Sequence, residues 1–244
     1  MPSHMQFVTE SSLSDLPHRI QYLRNFVDFT SEDAAILHTT KPLIAPLIPT
    51  VVDTVYDKLL SFSVTAKAFV PRQTGYSGAT PTKLADLSQD HPQIRFRKDF
   101  LANYLVKLVS MDYEKIESWQ YLDKVGLMHT GQSGFSHRVN KPALRVEYVH
   151  CAALLGYVED IVINAILTHP DIELETKTAA LRAFNKILWI QNDLFARHYI
   201  PEASTKKPTS LVSSLFANRT ALATAASVVV LGCAIRYITL ASQS

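Results

Sequence analysis

Residues 121–131 read YLDKVGLMHTG. Val125, Leu127 and Met128 are apolar, and His129 closes the stretch just before Thr130 and Gly131. Apolar residues at helical spacing, then a basic side chain and a glycine, describe the last turns of a helix and its stop. Two readings of His129 follow. As a basic residue in a last turn it complements the helix dipole or fills a core position. As a neutral imidazole at the rim of an apolar slot it can be the axial base of a haem. The porphyrin supplies four nitrogens, so the protein need supply only one strong ligand. Gly126, three residues earlier, carries no side chain to keep a flat ring away from the helix.

Outward from this stretch the chain reads as helix throughout. Only 7 of its 244 residues are glycine, and no segment alternates as a strand between hairpin turns. Thr30-Ser31-Glu32-Asp33 predicts a cap and an acidic first turn for a short helix near DAAILHTT. Pro42, Pro46 and Pro49 punctuate the approach to TVVDTVYDKLLSF, where Val51, Val52, Val55, Leu59 and Leu60 recur at helical spacing. Residues 64–91 hold Pro71, Gly75, Gly78 and Pro81 and read mostly as loop. Pro92 begins the next helix, with Phe96, Phe100, Leu101, Tyr104, Leu105 and Leu108 as its apolar face. Asp112 is the expected cap of the helix that ends at His129. After the polar insert GQSGFSHRVNKP come two long helices, from Ala143 to the His169-Pro170 stop and from about Glu173 to His198. Both are apolar on more than one side, as central helices are.

Composition excludes several classes. Apolar residues make up 47% and charged residues 19%, so the body is globular rather than disordered. A formal charge of +2, with the basic residues scattered, gives no electrostatic case for nucleic acid. Two cysteines, Cys151 and Cys233, in unrelated contexts fit a reducing, intracellular compartment. The N-terminus lacks the apolar core of a secretory signal. PEASTKKPTS reads as a linker, and the apolar stretch that follows reaches Ile235 before Arg236 breaks it. That stretch is just long enough for a membrane span if Arg236 snorkels to the interface; the alternative is an extra helix folded onto the body. No phosphate loop, dinucleotide loop or H-E-x-x-H motif occurs, and GQSGF lacks the spacing and the preceding strand of a nucleophile elbow.

The order of these elements resembles the globin-sensor family, which includes the protoglobins and the haem domains of globin-coupled sensors. The likeness spans roughly residues 15–200. It rests on a helix with YLRNF before the globin core, the tyrosine helix VVDTVYDKLL and the aromatic helix FRKDFLANYLVKLV. To these it adds the histidine segment VGLMHTG and the long helices with LRVEYVHCAALLGYVEDIV and AFNKILWIQNDLF. The resemblance implies an all-α, globin-like helical sandwich with an extra N-terminal helix, followed by a C-terminal hydrophobic helix. Its implied boundaries are a haem domain over 1–205, a linker over 206–218 and a tail over 219–241 that is a possible membrane anchor. It implies haem as cofactor and O₂, CO or NO as ligand. His129 is then the proximal iron ligand and Tyr56 the distal hydrogen-bond donor, with Phe96, Phe100 and Gly126 lining the pocket. Tyr148 packs on the proximal side or is purely structural. The family commonly pairs its last two long helices between subunits, and Trp189, Ile190 and Phe195 then either supply an apolar homodimer surface or, equally, pack inward.

Two departures stand out. The insert QSGFSHRVNKPAL lengthens the link after the histidine helix, and it offers His137 or Arg138 to a haem edge or simply forms a surface loop. The 244 residues also leave no room for the methyl-accepting, cyclase or kinase module of the usual coupled sensor. Besides gas or redox sensing, the pattern admits a haem enzyme of the NO dioxygenase or peroxidase kind, served by an external reductant. It also admits a haem-free, tail-anchored bundle that binds partner helices in a groove.

Overall fold

The computed structural model describes residues 5–73, 75–132 and 145–200. The chain divides into two units, residues 1–201 and 202–244. The second unit lies outside the described residues, and with it the expected linker and the span over 219–241. His137 and Arg138 of the insert lie outside them too. Within the described residues the fold is all-α: eight helices and short 3₁₀ turns, with no strand beyond an isolated bridge between Thr130 and Arg145.

The helices are α1 (Leu16–Phe26), α2 (Ser31–Ile44), α3 (Ile48–Leu60), α4 (Ser63–Ala66), α5 (Pro92–Leu108), α6 (Ile116–His129), α7 (Tyr148–Thr168) and α8 (Leu174–Ala196). Asp15 caps α1, accepting from the His18 backbone N–H at 3.3 Å. Thr30 starts α2 as expected, and its backbone N–H donates to the Asp33 carboxylate at 2.8 Å. The helix is not short, however. It runs through Pro42, because one missing N–H removes only one bond of the ladder, and it tightens to a 3₁₀ turn over Ala45–Leu47 before α3 begins.

Helix α8 is the central element. It packs against α2, α6 and α7, while α3 packs against α5 and α7, and α1 lies on α6 and α8. Its buried residues include Phe184, Ile187, Leu188, Ile190, Leu194 and Phe195. Ile190 and Phe195 therefore belong to the core, the inward one of the two expected alternatives, whereas Trp189 is 56% exposed. Helix α7 is apolar but not central. Only Cys151, Val158, Val162 and Ile166 are buried in it, and Val149, Ile163 and Leu167 face outward. Among the described residues, Ser31–Leu60 and Tyr148–Thr168 are long and apolar enough to cross a membrane by composition alone, a test that core helices also pass.

Buried amides tie these layers together. Gln93, fully buried on α5, donates to the Phe69 carbonyl at 2.7 Å and accepts from the Gln73 N–H at 3.1 Å. Gln191 on α8 accepts from the Tyr104 hydroxyl at 3.1 Å and donates to the Leu122 carbonyl at 3.3 Å. Between α2 and α8, Lys186 Nζ lies 2.8 Å from an Asp33 carboxylate oxygen, with the two side chains 15% and 11% exposed. Lys186 also donates to the Asp28 carbonyl at 2.7 Å. Lys186→Met would leave the largely desolvated Asp33 charge without its cation, held by the Thr30 N–H and hydroxyl. We expect it to cost about 2 kcal/mol, discounted for residual exposure and read as a lower urea midpoint at unchanged slope.

Candidate functional site

Helix α6 ends at His129 because Thr130 turns back and Gly131 follows. Thr130 donates its N–H and its hydroxyl to the Leu127 carbonyl, at 3.1 and 2.8 Å. Gly131 has φ of 93°, the left-handed conformation that stops a helix and suits glycine. The segment after the insert then fastens onto this end, as the Val146 N–H donates to the His129 carbonyl at 2.9 Å. That pairing keeps residues 145–147 extended and moves the start of α7 to Tyr148 from the expected Ala143. The expected cap of α6 shifts likewise. Asp112 serves the turn before it, accepting from the Glu114 N–H at 3.1 Å, and α6 begins at Ile116.

The His129 ring is fixed at one nitrogen and on one face. Nδ1 donates to the Val125 carbonyl at 2.7 Å. A carbonyl only accepts, so the proton of the neutral ring sits on Nδ1 and the lone pair on Nε2. Phe195 stands edge-on to the ring at 5.1 Å and 72°. Beneath it Val125, Cys151 and Phe195 form a small buried cluster, with Tyr104, Tyr121, Val146, Tyr148 and Leu155 packed against it. Burial holds the Cys151 thiol up at about 11, so it is protonated at neutral pH and acts as a small apolar group.

Tyr148 takes the first position of α7 and joins this cluster. Its hydroxyl donates to the Asn192 carboxamide oxygen at 3.1 Å, and its ring lies 5.7 Å from that of Tyr199. Gly126 lies against α8: a Cβ there would stand 2.4 Å from the Leu194 carbonyl oxygen, so the missing side chain admits the backbone of that helix.

The second group of residues lies on α3, α5 and the segment between them. Tyr56 is buried on α3, its ring 5.6 Å from that of Phe69. Burial raises its phenol above the ordinary range, while the Arg97 guanidinium, through its charge and a side-chain hydrogen bond to the phenol, pulls the other way. The hydroxyl is therefore a protonated donor at neutral pH. Arg97 on α5 lies over the Phe69 ring at 5.9 Å, and its Nε is buried without a hydrogen-bond partner. Phe96 and Phe100 pair edge-to-face at 5.0 Å, but Phe96 is only half-buried and Phe100 is 50% exposed. The inward stripe of α5 runs through Ile94, Arg97, Leu101, Leu105 and Leu108, and the two phenylalanines fall on its flank.

Phe69 and Arg97 are the contributors that apolar periodicity does not single out. Phe69 follows a four-residue helix in a loop-like stretch. Arg97 reads as one charge in the surface run RKD. The available signal is spacing, since Arg97 lies three residues after Ile94 and four before Leu101. The His129 cluster and the main core holding Tyr56 are bordered in common by Tyr104, Tyr121 and Leu155. Among the described residues no three His, Cys, Asp or Glu side chains gather for a bare metal ion. The His129 imidazole, the buried Tyr56 phenol and the Arg97 guanidinium are instead the groups that would hold a haem and a small ligand on it, the imidazole as a base for its iron and the other two as hydrogen-bond donors.

Helices paired in this way make a globin-like fold. The globin domain of the Geobacter sulfurreducens globin-coupled sensor superposes with a TM-score of 0.53 at 22% identity, over 74% of this chain and 97% of that one. The chain belongs to the protoglobin family, whose profile matches residues 16–205. No curated protein sequence matches it.

Proposed function

We propose that this protein binds one haem per chain through His129 and holds a diatomic gas opposite it, as a sensor of O₂, CO or NO. The observation that carries the reading is the 2.7 Å bond from His129 Nδ1 to the Val125 carbonyl. It orients the imidazole and raises its basicity, as outer partners of ligating histidines do. Haem supplies reversible gas binding at its iron. The chain's residues do the rest. Val125, Cys151, Phe195 and Tyr148 keep water from the histidine side. Tyr56 offers its O–H to a polarised ligand, and Phe69 packs against the Tyr56 ring. Family membership supports the same reading. Pairing with a second copy belongs to it as well, with exposed Val149, Ile163, Leu167 and Trp189 as the surface on α7 and α8.

Haem titration of the purified chain tests the proposal. The expected result is saturation at one haem per chain with a sharp Soret band, which shifts when the reduced protein takes up CO. A chain that stays colourless through the titration rules the proposal out.

A further inference from the structure

One buried arginine atom points beyond gas binding. Arg97 Nε is shielded from solvent and has no hydrogen-bond partner among the described residues. A buried donor left unmade is costly, more so on a charged group, and native proteins keep few of them. Its neighbours on α5 behave differently. Arg95 pairs with Asp90 at 2.9 Å and Lys98 with Asp53 at 2.8 Å. Between them Arg97 turns inward, over the Phe69 ring and beside Tyr56, and no carboxylate among the described residues pairs with it. A guanidinium with a spare directed N–H, next to a phenol O–H and against an aromatic wall, is the donor set that receives an anion.

We propose that Arg97 and Tyr56 form an anion-recognising pair on the ligand side of the pocket, so that the haem-loaded ferric protein selects small anions such as fluoride and azide. The inference rests on the haem reading above. Arg97 is here a specificity residue, and Tyr56 is the second donor to the same ligand. In a low-dielectric pocket a small anion needs both donors, whereas neutral CO gains little from either.

The test loads wild type, Arg97→Leu, Arg97→Lys and Arg97→Met with ferric haem and titrates each with fluoride and azide, followed by absorption. CO binding to the reduced proteins is the neutral comparison, and Arg95→Leu removes a charge from the same helix at the surface. The fluoride Kd is expected to rise about tenfold or more in Arg97→Leu, as for loss of a hydrogen bond to a charged group. Arg97→Lys should fall between it and wild type, Arg97→Met should follow the leucine variant, and Arg95→Leu should match wild type. CO affinity should stay within about twofold in all of them. The proposal is overturned if anion affinity in the loaded leucine and methionine variants stays within about twofold of wild type. It is equally overturned if they lose haem affinity with anion affinity unchanged, the signature of a residue that holds a haem propionate. A wild-type chain that takes up no haem overturns both readings, whereas a loaded chain indifferent to residue 97 overturns this one alone. Should the leucine variant fail to fold, the lysine and methionine variants decide.

Discussion

Replacing His129 with alanine should abolish the haem-supplemented Soret band of a five-coordinate histidine complex while leaving the chain folded. Two magnitudes separate these effects. In the folded protein the contacts of the imidazole include a hydrogen bond to the Val125 carbonyl at the end of α6 and an edge-on contact with Phe195. A single such bond near a helix end is worth about 1 kcal/mol, and the ring is only half-buried. The apolar cluster of Val125, Cys151 and Phe195 stays intact without it. Far-UV circular dichroism and the urea midpoint should therefore change little. Ligation is all-or-none by comparison, because a haem iron held by a single protein base loses that coordination when the base is removed. His129→Gly gives the sharper form of the test. Added imidazole should restore the band, since the space vacated by the side chain matches the small molecule. A spectrum that stays the same in both variants means that another side chain holds the haem, and the role given to His129 is then wrong. A variant that unfolds is diagnosed by circular dichroism and leaves the imidazole rescue to decide.

Much of this was legible in the sequence, for identifiable reasons. The end of α6 was readable because helix stops have a local grammar, here an apolar run, a histidine and a glycine at positive φ. The core of α3 was readable because Val51, Val52, Val55 and Tyr56 sit at helical spacing and all are buried. What failed was non-local. The start of α7 depends on residues 145 and 146 pairing with the end of α6, which no propensity records. The choice between the inward and outward alternatives for Ile190 and Phe195, which the sequence left open, depends on α8 being surrounded by α2, α6 and α7. Asp112, like many cap-forming residues, was available to two neighbouring turns, and tertiary packing chose between them. Arg97 was the least legible, since a charge in a charged run reads as surface until a neighbouring helix turns it inward. Gly126 was legible as a place of close approach, but its contact with α8 is not recorded in the local sequence.

Gly126→Ala should therefore destabilise the protein, and Gly156→Ala should stabilise it, although both glycines sit inside helices. Helix propensity alone favours alanine by about 1 kcal/mol at either site. At Gly156, exposed on α7, an added Cβ meets nothing within 4 Å, so that gain should appear nearly whole. At Gly126 the Cβ would stand 2.4 Å from the Leu194 carbonyl oxygen, 3.0 Å from its carbon and 3.2 Å from Phe195 Cα. These are backbone atoms of the central helix, and no rotamer change removes them. Relief requires α6 and α8 to separate. That strains the Gln191 bond to the Leu122 carbonyl and draws Phe195 away from the His129 ring. Overpacking a close contact costs about 1–3 kcal/mol, at the upper end where the obstacle is backbone. After the propensity gain the net loss for Gly126→Ala is about 2 kcal/mol, and Gly126→Val, with its branched side chain, should lose more. Urea midpoints at unchanged slope measure all three. The helix–helix contact would also hold the proximal face, so haem affinity should fall in the Gly126 variants and stay unchanged in Gly156→Ala. Equal stabilisation at both positions would mean that α6 and α8 do not approach at Gly126 as closely as described, and the support for the His129 ring would have to come from elsewhere.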